Sequence, residues 1–258
     1  MKRRLGVNID HIATIRESRK VSYPDPFEAL PILKSCQVDQ VTIHLREDRR
    51  HIQDHDLKRI SAANILPVNL EMAVTNEMLD IATQQKPSHV TFVPEKREEV
   101  TTEGGLDCVS SLVNVKKAVK RIKECGIHAS LFIDPDCRQI AAAKESGADA
   151  IEIHTGTYCN VLEDFFLKNG HYDYSKDAVF HKQIDIEITK IQESARMATE
   201  AGLKVYAGHG LHVDNLQPIT NIPQIEEYNI GHALIARAVF VGLKQAITEI
   251  QMMLRGDF

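Results

Sequence analysis

A chain of 258 residues with 43% hydrophobic and 26% charged side chains has the composition of a globular protein, with room for two small domains or one barrel-sized one. Its formal net charge of −5 gives no general attraction to nucleic acid or to an anionic membrane surface, so an anionic ligand must be held by a local cluster. No apolar run approaches membrane-spanning length, MKRRLGVNID lacks a secretory signal's apolar stretch, and five scattered cysteines form no C-x-x-C pair; the chain reads as cytoplasmic, without disulfides or a zinc knuckle.

The first element is a strand at 4–9. In GVNIDHIATIR (6–16) it sets Asn8 and Asp10 opposite Val7 and Ile9, because residues i and i+2 share a strand face. By that count His11 turns away or begins the next turn. A helix in FEALPILKSC leads to a second strand at 39–45, where Thr42, His44 and Arg46 lie opposite Val41, Ile43 and Leu45. The third strand, 65–71, repeats the arrangement with Asn69 and Glu71 opposite Val68 and Leu70. TNEMLDIATQQ follows as a helix, and then a strand at 88–94.

After it, VPEKREEVTTEGGLD (93–107) is a long charged connection with Gly104 and Gly105 as pivots, a length usually reserved for function. VKKAVKRIKEC and CRQIAAAKESG are helices flanking a strand at 127–133 that ends at Asp134. A strand at 149–154 carries Glu152 and His154 opposite Ile151 and Ile153, and residues 157–185 form an aromatic-bearing insertion after it. EITKIQESARMATEAG, a strand at 203–208, a strand at 228–235 and one long helix, AVFVGLKQAITEIQMML, complete the chain. Gly126, Gly147 and Gly202 sit where helices end, the position at which a left-handed residue costs glycine least.

Eight strands alternating with helices predict a parallel sheet, and about 250 residues is the size of a TIM (β/α)8 barrel, here one domain over 1–258 with extra helices. The competing doubly wound sheet calls for a glycine-rich first turn, and NIDHIAT contains no G-x-G-x-x-G. In a barrel the polar strand ends open onto one mouth. There is no H-x-H and no H-E-x-x-H, so no metal is expected, and no lysine ends a strand except Lys96 in the long loop. What remains is acid–base chemistry by His44, Glu71 and His209, with Glu152 as a further carboxylate.

Arginines indicate the ligand class. Arg16, Arg19, Arg46, Arg49, Arg50 and His51 follow strands one and two, a local basic cluster suited to phosphate or carboxylate. For Arg49 and Arg50 the plainer reading is preferred, a surface charge run paired with Glu47, Asp48 and Asp54. GHG (208–210) and NIGHA (229–233) let backbone N–H groups approach a ligand after strands seven and eight, the usual phosphate site of this fold. Two separate anion sites on one mouth predict two phosphates.

In order along the chain, GVNIDHIATIR, YPDP, VTIHLREDRRHI, NLEMAV, VPEKREEVTTEGGLD, SLFID, IEIHTG, AGHGL and NIGHALIARAV resemble the pyridoxine 5′-phosphate synthase family of deoxyxylulose-dependent vitamin B6 biosynthesis. The resemblance implies condensation of 1-deoxy-D-xylulose 5-phosphate with 3-amino-2-oxopropyl phosphate, without a cofactor, in a homo-octamer. It implies that His44 and Glu71 accept protons, His209 donates one and Glu152 stabilises transition-state charge. Asp10, His11, Arg46, His51 and Thr101 fall where the family binds the deoxyxylulose phosphate. Asn8, Arg19, Gly210, Gly231 and His232 fall where it binds the amino ketone. The loop 93–107 would then act as a lid. Segment 157–185 is longer than expected for the family. Two other readings compete, a different phosphosugar barrel and a phosphometabolite sensor that has kept a barrel shape.

Overall fold

The alternation read from the first strand recurs eight times because the sheet closes on itself. In the computed structural model, which describes residues 3–95 and 104–256, the strands are parallel and ordered β1 to β8 around a closed barrel. They are β1 (Arg4–Asn8), β2 (Gln40–His44), β3 (Val68–Met72), β4 (His89–Phe92), β5 (His128–Ile133), β6 (Ala150–His154), β7 (Lys204–Gly208) and β8 (Ile225–Ile230). Val7, Val41, Ile43, Leu70, Val90, Leu131, Ile151, Ile153 and Val205 point outward into the layer under the helices and are fully buried there. Each such side chain contributes about 1.5–3 kcal/mol by leaving water.

The opposite face fills the barrel, and it is polar. Thr91 Oγ1 donates to Asn69 Oδ1 (2.9 Å), Asn69 Nδ2 reaches Thr42 Oγ1 (3.5 Å), and Gln40 Nε2 donates to Glu227 Oε1 (2.7 Å). Barrel interiors are more often packed with branched apolar residues. Here hydrogen bonds between side chains of different strands take over part of that packing, because a buried polar group without a partner is costly.

The helices on the first half are α1 (Asp10–Arg19), α2 (Ala29–Ser35), α3 (Asp54–Ala63), α4 (Asn76–Gln85) and α5 (Leu112–Glu124). On the second half come α6 (Cys137–Ser146), α7 (Gly156–Asn169), α8 (Ala178–Glu200), α9 (Leu216–Thr220), α10 (His232–Val241) and α11 (Leu243–Arg255). Gly126, Gly147 and Gly202 have φ of 76°, 82° and 79°, the left-handed helix ends that the sequence indicated.

Two expectations shift. The last strand begins at Ile225 and stops at Ile230, so residues 232–235 of the expected strand are the first turn of α10. Their apolar character reflects packing of a helix face, which a short apolar run does not distinguish from a strand. The long C-terminal helix breaks at Gly242 (φ 81°) into α10 and α11. The insertion 157–185 is nearly all of α7, a short connection and the first turns of α8, and its aromatic residues pack together, Phe165 edge-on to Phe180 at 4.8 Å.

Candidate active site

The end of β1 is tied to the end of β2 by one carboxylate. Asp10, the first residue of α1, accepts the His44 backbone N–H on Oδ1 (2.8 Å) and Asn8 Nδ2 on Oδ2 (2.9 Å), while its own N–H donates to Asn8 Oδ1 (2.8 Å). Burial pushes its pKa up to about 6, against the opposing pull of His44 and these hydrogen bonds. Asn8 Nδ2 also reaches Glu71 Oε2 at 3.4 Å. Glu71 is held well above the usual carboxylate range, first by burial and then by the charges of Glu152 and Asp10.

His44 stands between two carboxylates, with Nε2 2.8 Å from Glu95 Oε1 and Nδ1 3.9 Å from Glu71 Oε2. Burial raises the Glu95 carboxyl, but the His44 hydrogen bond and the Glu47 N–H on Oε2 (3.0 Å) outweigh it and leave Glu95 below its ordinary value. Behind His44 lies the His51 ring, 6.0 Å away between centroids. His51 Nδ1 accepts the Ile52 N–H at 2.8 Å, which places the ring proton on Nε2. Burial, helped by the nearby His44 and His11, lowers its pKa to about 3, so it is neutral at physiological pH.

Across the mouth, Glu152 Oε2 accepts Asn229 Nδ2 at 2.8 Å. Its pKa rises to about 8, mainly by burial, with Asn229 pulling down and Glu227 pushing up. His209, just past β7, adopts φ 80°, an uncommon value for a residue with a side chain. Its carbonyl is pinned by Thr155 Oγ1 (2.6 Å) and Cys159 Sγ (3.6 Å). Its ring meets that of His154 at 5.0 Å, and burial together with His154 lowers its pKa to about 4. His154 is itself fixed by Asp134, Nδ1 to Oδ1 2.8 Å, and the same oxygen accepts the Gly105 N–H at 2.9 Å.

These groups enclose a cavity of about 520 Å³ at the C-terminal ends of the strands. Asn8, His11, His44, Glu71, Glu152, His209, Gly210, Gly231 and His232 all line it. The strand-face count turned His11 away, yet α1 begins at Asp10 and swings its ring to within 5.0 Å of His232. Burial and His232 lower the His11 pKa to about 4. Asp10, Arg46 and His51 stand behind the wall, Arg46 with Nε 3.4 Å from Asp48 Oδ1. Arg19 is exposed at the end of α1, outside the cavity, and Thr101 and Lys96 lie outside the described residues.

Arg16 is not part of a basic cluster at the mouth. Its guanidinium is committed to Asp56, Nη1 to Oδ1 2.9 Å and Nη2 to Oδ2 2.7 Å. Arg49 pairs with Asp54 (2.9 Å) and Glu77 (2.7 Å), and Arg50 with Asp48 (2.6 Å), the surface charge run expected of them. Asp10, His44 and Glu71 also bring ligand atoms within 4.8 Å of one another, a spacing no sequence motif revealed, although both Asp10 oxygens already accept hydrogen bonds.

Anion binding has a backbone basis. The N-terminus of α10 opens on the cavity at Gly231 and His232 with no side-chain cap, so its first N–H groups and the positive end of its dipole face the ligand space. Gly210 has φ 80°, and a Cβ there would lie 2.7 Å from Cys159 Cβ. Gly210→Ala is therefore expected to raise substrate KM and lower Tm by several degrees, since the left-handed backbone alone costs a side chain about 1–2 kcal/mol. Unchanged KM in steady-state assays would count against a binding role for that loop.

Glu95, Asp134 and Glu227 escaped the sequence reading as site residues. Glu95 looked like loop charge, and only the partner of His44 identifies it.

Comparison with known proteins follows the same outline. Residues 5–256 match the family described as pyridoxal phosphate biosynthesis protein PdxJ. A pyridoxine 5′-phosphate synthase of Sulfurihydrogenibium sp. (strain YO3AOP1) is 51% identical over 251 residues, 96% of each chain. That of Nautilia profundicola is 46% identical over 261 residues, covering 98% of this chain and all of the relative. Among solved structures, 3-keto-L-gulonate-6-phosphate decarboxylase from Vibrio cholerae superposes with a TM-score of 0.63 at 10% identity, over 100% of both chains. Phosphoribosyl anthranilate isomerase gives 0.57 at 12% identity, over 98% of this chain and 99% of that one. At such identities the likeness concerns the barrel alone.

Proposed function

Because the chain belongs to the PdxJ family and is an enzyme with pyridoxine 5′-phosphate synthase activity in vitamin B6 biosynthesis, we propose that its cavity joins 1-deoxy-D-xylulose 5-phosphate to 3-amino-2-oxopropyl phosphate. The products are pyridoxine 5′-phosphate, phosphate and water. The observation that carries this reading is the pairing, in one cavity, of the acid–base groups His44, Glu71, Glu152 and His209 with uncapped helix N–H groups.

Building a pyridine ring from two open chains needs an imine, a carbon–carbon bond and several eliminations, each with a proton to move. The substrate supplies the amine, so no lysine is needed. His44, poised between Glu95 and Glu71, and Glu71 itself are the proton acceptors. A carboxyl raised by burial is a stronger base than an exposed one, which suits abstraction near neutral pH. Glu152, opposite, has its raised pKa brought down by a cation forming beside it, and once ionised it stabilises the positive charge developing on the iminium nitrogen.

His209 is the donor, and the lowering of its pKa by burial and His154 is offset by the substrate. A phosphate dianion seated by Gly210 and α10 favours the protonated imidazole, so substrate arrival loads the donor. Asn8, Gly210, Gly231 and His232 would hold the amino ketone phosphate, and Arg19, exposed outside the cavity, would have to swing in to join them. Asp10, His11, Arg46, His51 and Thr101 would hold the sugar phosphate; residues 96–103 of the lid expected at 93–107 lie outside the described residues.

No helix among the described residues is long and apolar enough to cross a membrane. Action in the cytoplasm, by a homo-octamer, completes the proposal; Phe240 and Val239, exposed on α10, supply apolar surface for such contacts. The test is direct. Purified protein mixed with the two substrates, without metal or nucleotide, is expected to release phosphate and form pyridoxine 5′-phosphate in equal amounts. A folded protein that produced neither would remove the substrate assignment.

A further inference from the structure

One line of buried side chains runs from the active site down through the barrel. Glu152 accepts Asn229 Nδ2 (2.8 Å), Asn229 Oδ1 accepts Gln40 Nε2 (3.3 Å), and Gln40 Nε2 also donates to Glu227 Oε1 (2.7 Å). At the far end Glu227 Oε2 meets Arg4 Nη2 at 3.1 Å, where the arginine reaches solvent. Glu152, Asn229, Gln40 and Glu227 are all more than nine-tenths buried. The backbone makes room for them. A Cβ on Gly6 of β1 would lie 1.9 Å from Asn229 Oδ1, and one on Gly208 of β7 would lie 2.1 Å from Glu152 Oε1.

An amide has two ends, and which one faces a carboxylate matters. An ionised carboxylate only accepts hydrogen bonds, so Glu227 compels Gln40 to present its NH₂. That NH₂ also binds Asn229 Oδ1, which leaves Asn229 with its own NH₂ turned to Glu152. Burial raises the Glu227 pKa to about 7 while Arg4 pulls it down from the solvent end, and once ionised Glu227 fixes the sense of the whole line. Resting on the reading of Glu152 as the charge-stabilising carboxylate, we infer that Glu227 is a positioning residue for it: through Gln40 it sets the amide of Asn229 that faces Glu152. Sequence reading took neither Glu227 nor Gln40 as functional: Gln40 begins β2, at the end away from the mouth, and Glu227 fell outside the strand expected at 228–235.

The charged and titratable groups facing this line are Glu71 from β3, Arg4 from β1, Tyr206 from β7, Asp39 ahead of β2, and Glu226 beside Glu227. Breaking the line at Gln40 alters none of these charges. In Gln40→Met the Asn229 amide is free to turn its oxygen toward Glu152, which favours the protonated carboxyl. The kcat of the synthase reaction should fall about tenfold at pH 7 and come back to within about twofold of wild type near pH 9, as the acidic limb moves to higher pH. KM for both substrates should stay within about twofold. Glu227→Gln, which can face Gln40 with either end but also removes a charge that pushes the Glu152 pKa up, should move the acidic limb in the same direction by a smaller amount. Wild-type profiles in both variants would overturn the inference, as would a loss of kcat equal at every pH, the mark of damaged packing. Glu152→Gln separates the two layers. If it lowers kcat while both other variants behave as wild type, only the positioning role fails; if it leaves kcat intact, the assignment of Glu152 fails and the inference with it.

Discussion

Glu71→Gln is expected to lower kcat by about 10²–10⁴-fold while leaving KM for both substrates within a few-fold. Glutamine keeps the shape and still accepts the Asn8 Nδ2 hydrogen bond made at 3.4 Å, so the wall of the cavity is preserved. What disappears is the base. Glu71 is raised above its ordinary value by burial and by its neighbours Glu152 and Asp10, so in the free enzyme it carries a proton over part of the working range. In the wild type, kcat/KM should therefore rise with pH as Glu71 ionises, and that limb should be absent from the variant. A variant retaining more than a tenth of wild-type kcat would show that His44 does the proton abstraction without it.

How much of this site could be read from the sequence follows from the physics of a strand. Period two is a strong signal, so Asn8, Thr42, His44, Asn69, Glu71 and Glu152 were placed on the inner face before any coordinate was known, and the closed barrel confirms the face. His11 was harder, since its direction depends on where β1 stops and α1 starts, a boundary that alternation does not fix. Glu95 and Asp134 act through partners, His44 and His154, that are 51 and 20 residues away, and no local pattern records a pairing of that range. Strand eight was displaced because the apolar face of α10 reads like a continuation of the strand. Arg16 was misplaced for a related reason: a charge next to the mouth in sequence was taken as available, when a buried carboxylate on a later helix had claimed it.

That carboxylate makes Arg16→Ala the largest expected loss of stability. Arg16 and Asp56 are both buried, and their double hydrogen bond joins α1 to α3. Asp56 Oδ2 also accepts the Gln53 N–H at 2.9 Å, so the same group caps α3. Removing the arginine strands a buried carboxylate, at a cost of about 3–5 kcal/mol, a large part of the 5–15 kcal/mol that a domain usually has. For Asp56, burial raises the pKa but the Arg16 and Gln53 hydrogen bonds outweigh it, and its folded value lies below the ordinary one. The folded protein then holds fewer protons than the unfolded chain in mild acid. The pair's stabilisation is fully present above the unfolded carboxylate pKa of about 4 and is lost as pH falls through the lower folded value. Urea unfolding at pH 7 and at pH 3 should show the difference between wild type and Arg16→Ala shrinking in acid. Arg16→Met with Asp56→Leu, which leaves no charge behind, should recover much of the loss at pH 7. Activity should not recover with it, because Arg16 Nη2 also holds the His51 carbonyl at 3.2 Å, and with it the loop that sets His51 behind His44. A double variant that restored both stability and KM would mean that the ion pair braces the fold and nothing more.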